Sequence, residues 1–117
     1  MQKQFWILQK KEHLRFKEIP LKIYFILIDI SSELSNLKGL EQIYLFGSYA
    51  KLIYTEKSDI DLAVVTKGNQ IKIKEKVKKI EKKYNKIIEL HFFDSKDMKQ
   101  NDPFIKDILR NGVKLMT

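Results

Sequence analysis

Apolar residues at positions 23, 27, 30, 34 and 37 fall on one stripe of a helix, with Pro20 suited to its first turn and Gly39 to its stop. The run Ile23-Tyr24-Phe25-Ile26-Leu27-Ile28 is rich in strand-favouring side chains, so period and propensity compete there. A compact strand is expected over Ile43 to Phe46, ended by Gly47, and a second over Asp59 to Val65, whose apolar character is broken only by its two aspartates. Ile73, Val77, Ile80 and Tyr84 mark the clearest helix, over Asn69 to Tyr84. A third strand is expected over Ile87 to Phe93, so that strand, helix and strand form a crossover between neighbours. The tail offers a short helix from Pro103 to Arg110, an Asn111-Gly112 stop and an extended Val113 to Met116. Before Pro20 no period stands out, and no repeat or low-complexity linker occurs. The class is α/β (α+β).

The chemistry concentrates in Gly47-Ser48, ten further residues, and Asp59-Ile60-Asp61. Side chains alternate along a strand, so Asp59 and Asp61 are expected on one face, with Ile60, Leu62 and Val64 turned to the helices on the other. Two carboxylates about 4 Å apart repel by on the order of 4 kcal/mol at an effective dielectric near 20, which a divalent cation would relieve. Magnesium prefers oxygen ligands and keeps positions for water and phosphate. Gly47 lets a phosphate approach the backbone without meeting a Cβ, and Ser48 adds a hydroxyl and an amide donor. The same alternation sets Glu89 and His91 on one face of the third strand and Ile88, Leu90 and Phe92 on the other. His91 reads as a polar or substrate-side residue rather than a metal ligand, since no second histidine has ligand spacing near it. Tyr49 and Tyr54 read as packing ahead of base contacts. His13 has no assigned role.

Composition narrows the classes. With 117 residues and 44% hydrophobic content there is apolar material for one core, so a single domain over residues 1–117 is expected. No cysteine occurs, which removes disulfides, thiolate zinc sites and cysteine nucleophiles. The apolar run Ile23 to Ile30 contains Asp29 and is far shorter than the roughly 20 residues of a membrane span. Lys10, Lys11, Glu12 and His13 follow too short a hydrophobic patch for a signal peptide. A soluble cytoplasmic protein without a membrane partner is expected. The net charge of +8 is nearly all lysine, Arg15 and Arg110 being the arginines. Much of it lies in Lys72, Lys74, Lys76, Lys78, Lys79, Lys82 and Lys83, the solvated face of one helix, so nucleic acid is not the expected partner. The richness in lysine, isoleucine and glutamate also resembles heat-adapted proteins.

Leu45-Phe46-Gly47-Ser48 followed by Ser58-Asp59-Ile60-Asp61-Leu62 resembles the signature of the DNA polymerase β-type nucleotidyltransferase superfamily. Within it the chain is most similar to the minimal nucleotidyltransferases, MntA-like antitoxins paired with HEPN-domain toxins. The resemblance implies a palm-like fold, a small mixed β-sheet with helices packed on one face. It implies transfer of AMP from ATP to an acceptor hydroxyl, with two magnesium ions stabilising the attacking and leaving oxygens. Asp59, Asp61 and Glu89 would be the catalytic, metal-binding carboxylates, Glu89 also activating the acceptor. Gly47, Ser48 and Lys51 would bind the nucleotide. The chain departs from the pattern at Glu89, where aspartate is commoner, and at Lys51 and Leu52, where arginine and glycine are common. A protein acceptor, a HEPN toxin, is the leading expectation. The alternatives are an antitoxin of little or no catalytic activity that neutralises its partner by contact, and a transferase acting on a small molecule, for which a dimer would have to build the pocket.

Overall fold

A computed structural model describes residues 19–116; the segment before Ile19, with His13, Arg15 and the signal-peptide question, lies outside the described residues. Helix α1, Leu21–Leu34, starts from Pro20, whose carbonyl accepts from the amides of Ile23 and Tyr24. Period wins over propensity here because Ile23, Ile26, Leu27, Ile30 and Leu34 are all buried on one stripe. The helix ends before the stripe does: Leu37 continues only as a turn, its amide bonded to the Leu34 carbonyl at 3.0 Å. Gly39 therefore does not stop the helix but shapes the entry to the sheet, with φ +87° and the backbone of Gly68 too close for a side chain.

Strand β1, Leu40–Phe46, begins three residues before its apolar run, because Leu40 and Gln42 pair with Thr66 and Val65 across an irregularity in register. A single helical turn, α2, Ser48–Lys51, leads by a loop to β2, Ile60–Thr66. Helix α3, Gln70–Tyr84, is capped by the Asn69 side chain accepting from the Lys72 amide at 3.2 Å, and it ends at Asn85 in the left-handed conformation. Then come β3, Ile88–Phe93, a short 3-10 turn at Asp97–Lys99, α4, Pro103–Asn111, and β4, Val113–Lys114. The Asp102 carboxylate caps α4, accepting from the amides of Phe104 at 2.8 Å and Ile105 at 3.3 Å.

The sheet order is β3-β2-β1-β4; β1 runs antiparallel to β2 and β4, while β2 and β3 are parallel, joined by the α3 crossover. One face carries Ile43, Leu45, Ile60, Leu62, Val64 and Ile88 into the main core with the buried stripes of α1 and α3. On the other face α4 covers only a small cluster of Phe46, Ala63 and Ile108. The tail is tied in at both ends of its hydrogen bonds: Ser31 Oγ donates to the Leu115 carbonyl at 3.2 Å, the Leu115 amide to the Ile43 carbonyl at 2.9 Å, and Gln42 Nε2 to the Met116 carbonyl at 3.0 Å. Among the described residues no helix is long and apolar enough to cross a membrane.

Leu62, fully buried between the helices, is expected to contribute strongly: Leu62→Ala should cost about 3 kcal/mol in urea unfolding. At Asn85, with φ 52°, Asn85→Ala should cost about 1 kcal/mol by the strain of a left-handed alanine, while Asn85→Gly should fall within about 0.5 kcal/mol of the native protein.

Candidate active site

β1 delivers its last residue, Phe46, opposite Asp61 of β2, and the chain then turns at Gly47 with φ 75° and ψ −151°. Two independent constraints demand glycine there. The dihedral suits no ordinary side chain, and a Cβ would overlap the Asp61 carboxylate, reaching within 3.2 Å of its Cγ. The turn is thus laid directly against a carboxylate. Ser48 opens α2, and the Ile53 amide returns to the Ser48 carbonyl at 3.0 Å, closing the turn around a left-handed Leu52 at φ 61°. Tyr49 is buried, stacked on Tyr54 with centroids 4.8 Å apart. Its role here is packing, which ties α2 to the loop before β2.

The parallel register places Asp61 directly beside Glu89 and Ala63 beside His91. Asp61, Glu89 and His91 each offer a ligand atom, and these atoms lie within 4.8 Å of one another. His91 Nε2 stands 4.0 Å from a Glu89 oxygen. Asp59 precedes the first residue of β2 and is half-buried; it stands outside this closest group, but its charge still acts on Asp61. Burial pushes the Asp61 carboxyl above its ordinary 3.8, helped by a hydrogen bond with Glu89 and by the charges of Glu89 and Asp59, with His91 opposing.

Lys51 does not lean over the Gly47 turn. Its ammonium pairs with Asp107 of α4 at 3.1 Å, and Asn111 donates to the same carboxylate at 2.8 Å. Hydrogen bonds from Asn111 and Lys51 hold the Asp107 carboxyl below its usual value. Beside the carboxylates stands an aromatic wall that alternation alone did not reveal: Phe46 meets His91 edge to face at 5.1 Å and Phe104 at 5.4 Å. The pattern put His91 on the right face, but the wall needed the β1–β2 register and the docking of α4.

The donor set suits a hard divalent cation. Asp61 and Glu89 supply carboxylate oxygens on an accessible sheet face, and the missing Cβ of Gly47 lets the turn lie against the Asp61 carboxylate. A paired set of carboxylates next to a phosphate-tolerant backbone turn can hold a metal-bound polyphosphate and take a proton from a hydroxyl.

The family model described as polymerase beta, nucleotidyltransferase, matches residues 29–117. No curated protein matches. Among solved structures, one described as a toxin-antitoxin with AMP-PNP is similar at 25% identity and a TM-score of 0.51, covering 80% of this chain and 69% of that chain. A mutant of the toxin-antitoxin MntA-HpeT is similar at 21% identity and a TM-score of 0.55, covering 82% of this chain and 73% of its own. Another mutant of that complex gives 24% identity, a TM-score of 0.52 and coverages of 78% and 69%. The last two establish likeness of fold.

Because the folded-state carboxyl of Asp61 is raised, its ionisation opposes folding. The penalty begins as pH rises through 3.8 and is complete above the raised value. In metal-free buffer Asp61→Asn should therefore unfold at higher urea than the native protein at pH 7, and the difference should close as pH falls toward 3.8. Gly47→Ala should lose at least about 2 kcal/mol in the same assay, from the left-handed strain and the overlap with Asp61.

Proposed function

The chain belongs to the polymerase β-type nucleotidyltransferase family, and from this we propose that it transfers AMP from ATP to a hydroxyl of a protein partner, a HEPN toxin, and so acts as the antitoxin of the pair. The observation that carries the reading is the juxtaposition of Asp61, Glu89 and the Gly47 turn on one accessible face. Similarity at 25% identity to a toxin-antitoxin with AMP-PNP supports both the nucleotide and the pairing. The reading takes residues 1–117 as one minimal nucleotidyltransferase domain working in the cytoplasm.

In this reading the Gly47 and Ser48 backbone receives the β and γ phosphates, beside the Asp61 carboxylate that the glycine admits. Asp59, Asp61 and Glu89 would hold magnesium, which when bound supplies charge stabilisation for the attacking and leaving oxygens. Glu89, the more exposed of the two carboxylates in the closest group, accepts the proton of the acceptor hydroxyl. The hydroxyl oxygen forms its bond to the α-phosphorus as the bond from that phosphorus to the bridging oxygen breaks, and pyrophosphate leaves. Lys51 reaches the phosphates only by leaving Asp107, so its contribution depends on that exchange.

A second reading, neutralisation by contact with little or no catalysis, is favoured by the same engagement of Lys51 with Asp107. The two are separated by one pair of experiments. With labelled ATP, magnesium and the partner toxin, label should pass to the toxin, and Asp61→Asn should reduce the rate at least about a hundredfold; equal transfer by the variant would sink the enzymatic reading. If Asp59→Ala with Asp61→Ala still suppresses toxicity as well as native protein, contact is sufficient.

A further inference from the structure

We propose that His91 is a nitrogen ligand of the metal held by Asp61 and Glu89, so that this chain takes a first-row transition ion such as Mn2+ more tightly than Mg2+. The inference rests on the metal-dependent reading of the site. It departs from that reading in assigning the site a mixed oxygen and nitrogen donor set.

The geometry points this way for three reasons. Residues two apart on a strand stand about 6.6 Å apart at the backbone, at roughly 3.3 Å per residue. Yet the tips of Glu89 and His91 converge to 4.0 Å. That gap is too long for a hydrogen bond, which ends near 3.2 Å. It lies inside the limit of about 4.2 Å that two ligand bonds of about 2.1 Å can span through one cation, and a small inward rotation of either side chain brings the pair to the closer spacing of adjacent ligands. Second, the register sets His91 beside the small Ala63, and a ring nitrogen of His91 lies with oxygens of Asp61 and Glu89 within 4.8 Å of one another. Third, the ring is steadied from the side by Phe46 at 5.1 Å and Phe104 at 6.0 Å, while 38% of the side chain remains accessible. An aromatic clamp of this kind fixes a ring without using its nitrogens. Imidazole nitrogen adds little to Mg2+ binding and considerably more to that of first-row transition ions.

The test is pulsed EPR of Mn2+ bound to the full chain, with histidine labelled with nitrogen-15 and a methylene-bridged ATP analogue present. The expected result is a nitrogen-15 coupling from a coordinated imidazole, kept in His13→Gln and lost in His91→Gln. Calorimetry should show His91→Gln weakening Mn2+ binding roughly tenfold and Mg2+ binding by less than about threefold. If Mn2+ binds and Asp61→Asn abolishes binding, yet no histidine coupling appears, the inference is overturned and the metal-dependent reading survives. If Mn2+ binding is unaffected by Asp61→Asn, both fall. Should His91→Gln fail to fold, the native coupling and its retention in His13→Gln still decide the matter.

Discussion

Asp61 and Glu89 face each other across parallel strands, so folding brings two negative charges side by side on a partly desolvated surface. Burial first, and then the neighbouring Glu89, raise the Asp61 carboxyl above its ordinary value. What compels it is the register of β2 against β3, which Ile60, Leu62 and Ile88 enforce from the opposite face by filling the core beneath α1 and α3. A slip by one residue would turn these apolar side chains to solvent. The core therefore holds the carboxylates together, and the same arrangement that serves packing creates a site with an affinity for positive charge.

Gly47 extends this dependence to the neighbouring strand. Its missing Cβ lets β1 end directly against the Asp61 carboxylate. Each of these features contributes little in isolation. Buried Tyr49 anchors the turn from below, and Lys51 links it to α4 through Asp107. The helices on the main face thus support the site from behind, while among the described α-helices α4 packs on the face of the candidate site, bringing Phe104 to Phe46.

Most of the elements could be read from period alone, because α1, α3, β2 and β3 each bury a stripe or an alternation that leaves a mark in the chain. The start of β1 could not, since Glu41 and Gln42 are polar and their strand conformation comes from pairing with β2. Nor could the end of α1, whose stripe extends to Leu37 although the helix ends at Leu34; Leu37 packs on the core from a turn. In the tail, the extended character of Val113 was visible, whereas its partner was not: Leu45 is its register neighbour, nearly seventy positions away.

For the candidate site, the local chain determined which face Asp61, Glu89 and His91 share. Gly47 follows from the end of a strand, Asp61 from alternation after Ser58, and Glu89 from alternation within Ile87 to Phe93, since these depend on dihedral preference and a period of two. Tertiary structure decided how far apart they stand. Asp59, just ahead of β2, lies outside the closest group; His91, set beside Ala63 by the register, lies within it; and Lys51 is paired with Asp107. These outcomes depend on strand register and on helix docking across long sequence separations, which local periodicity does not encode.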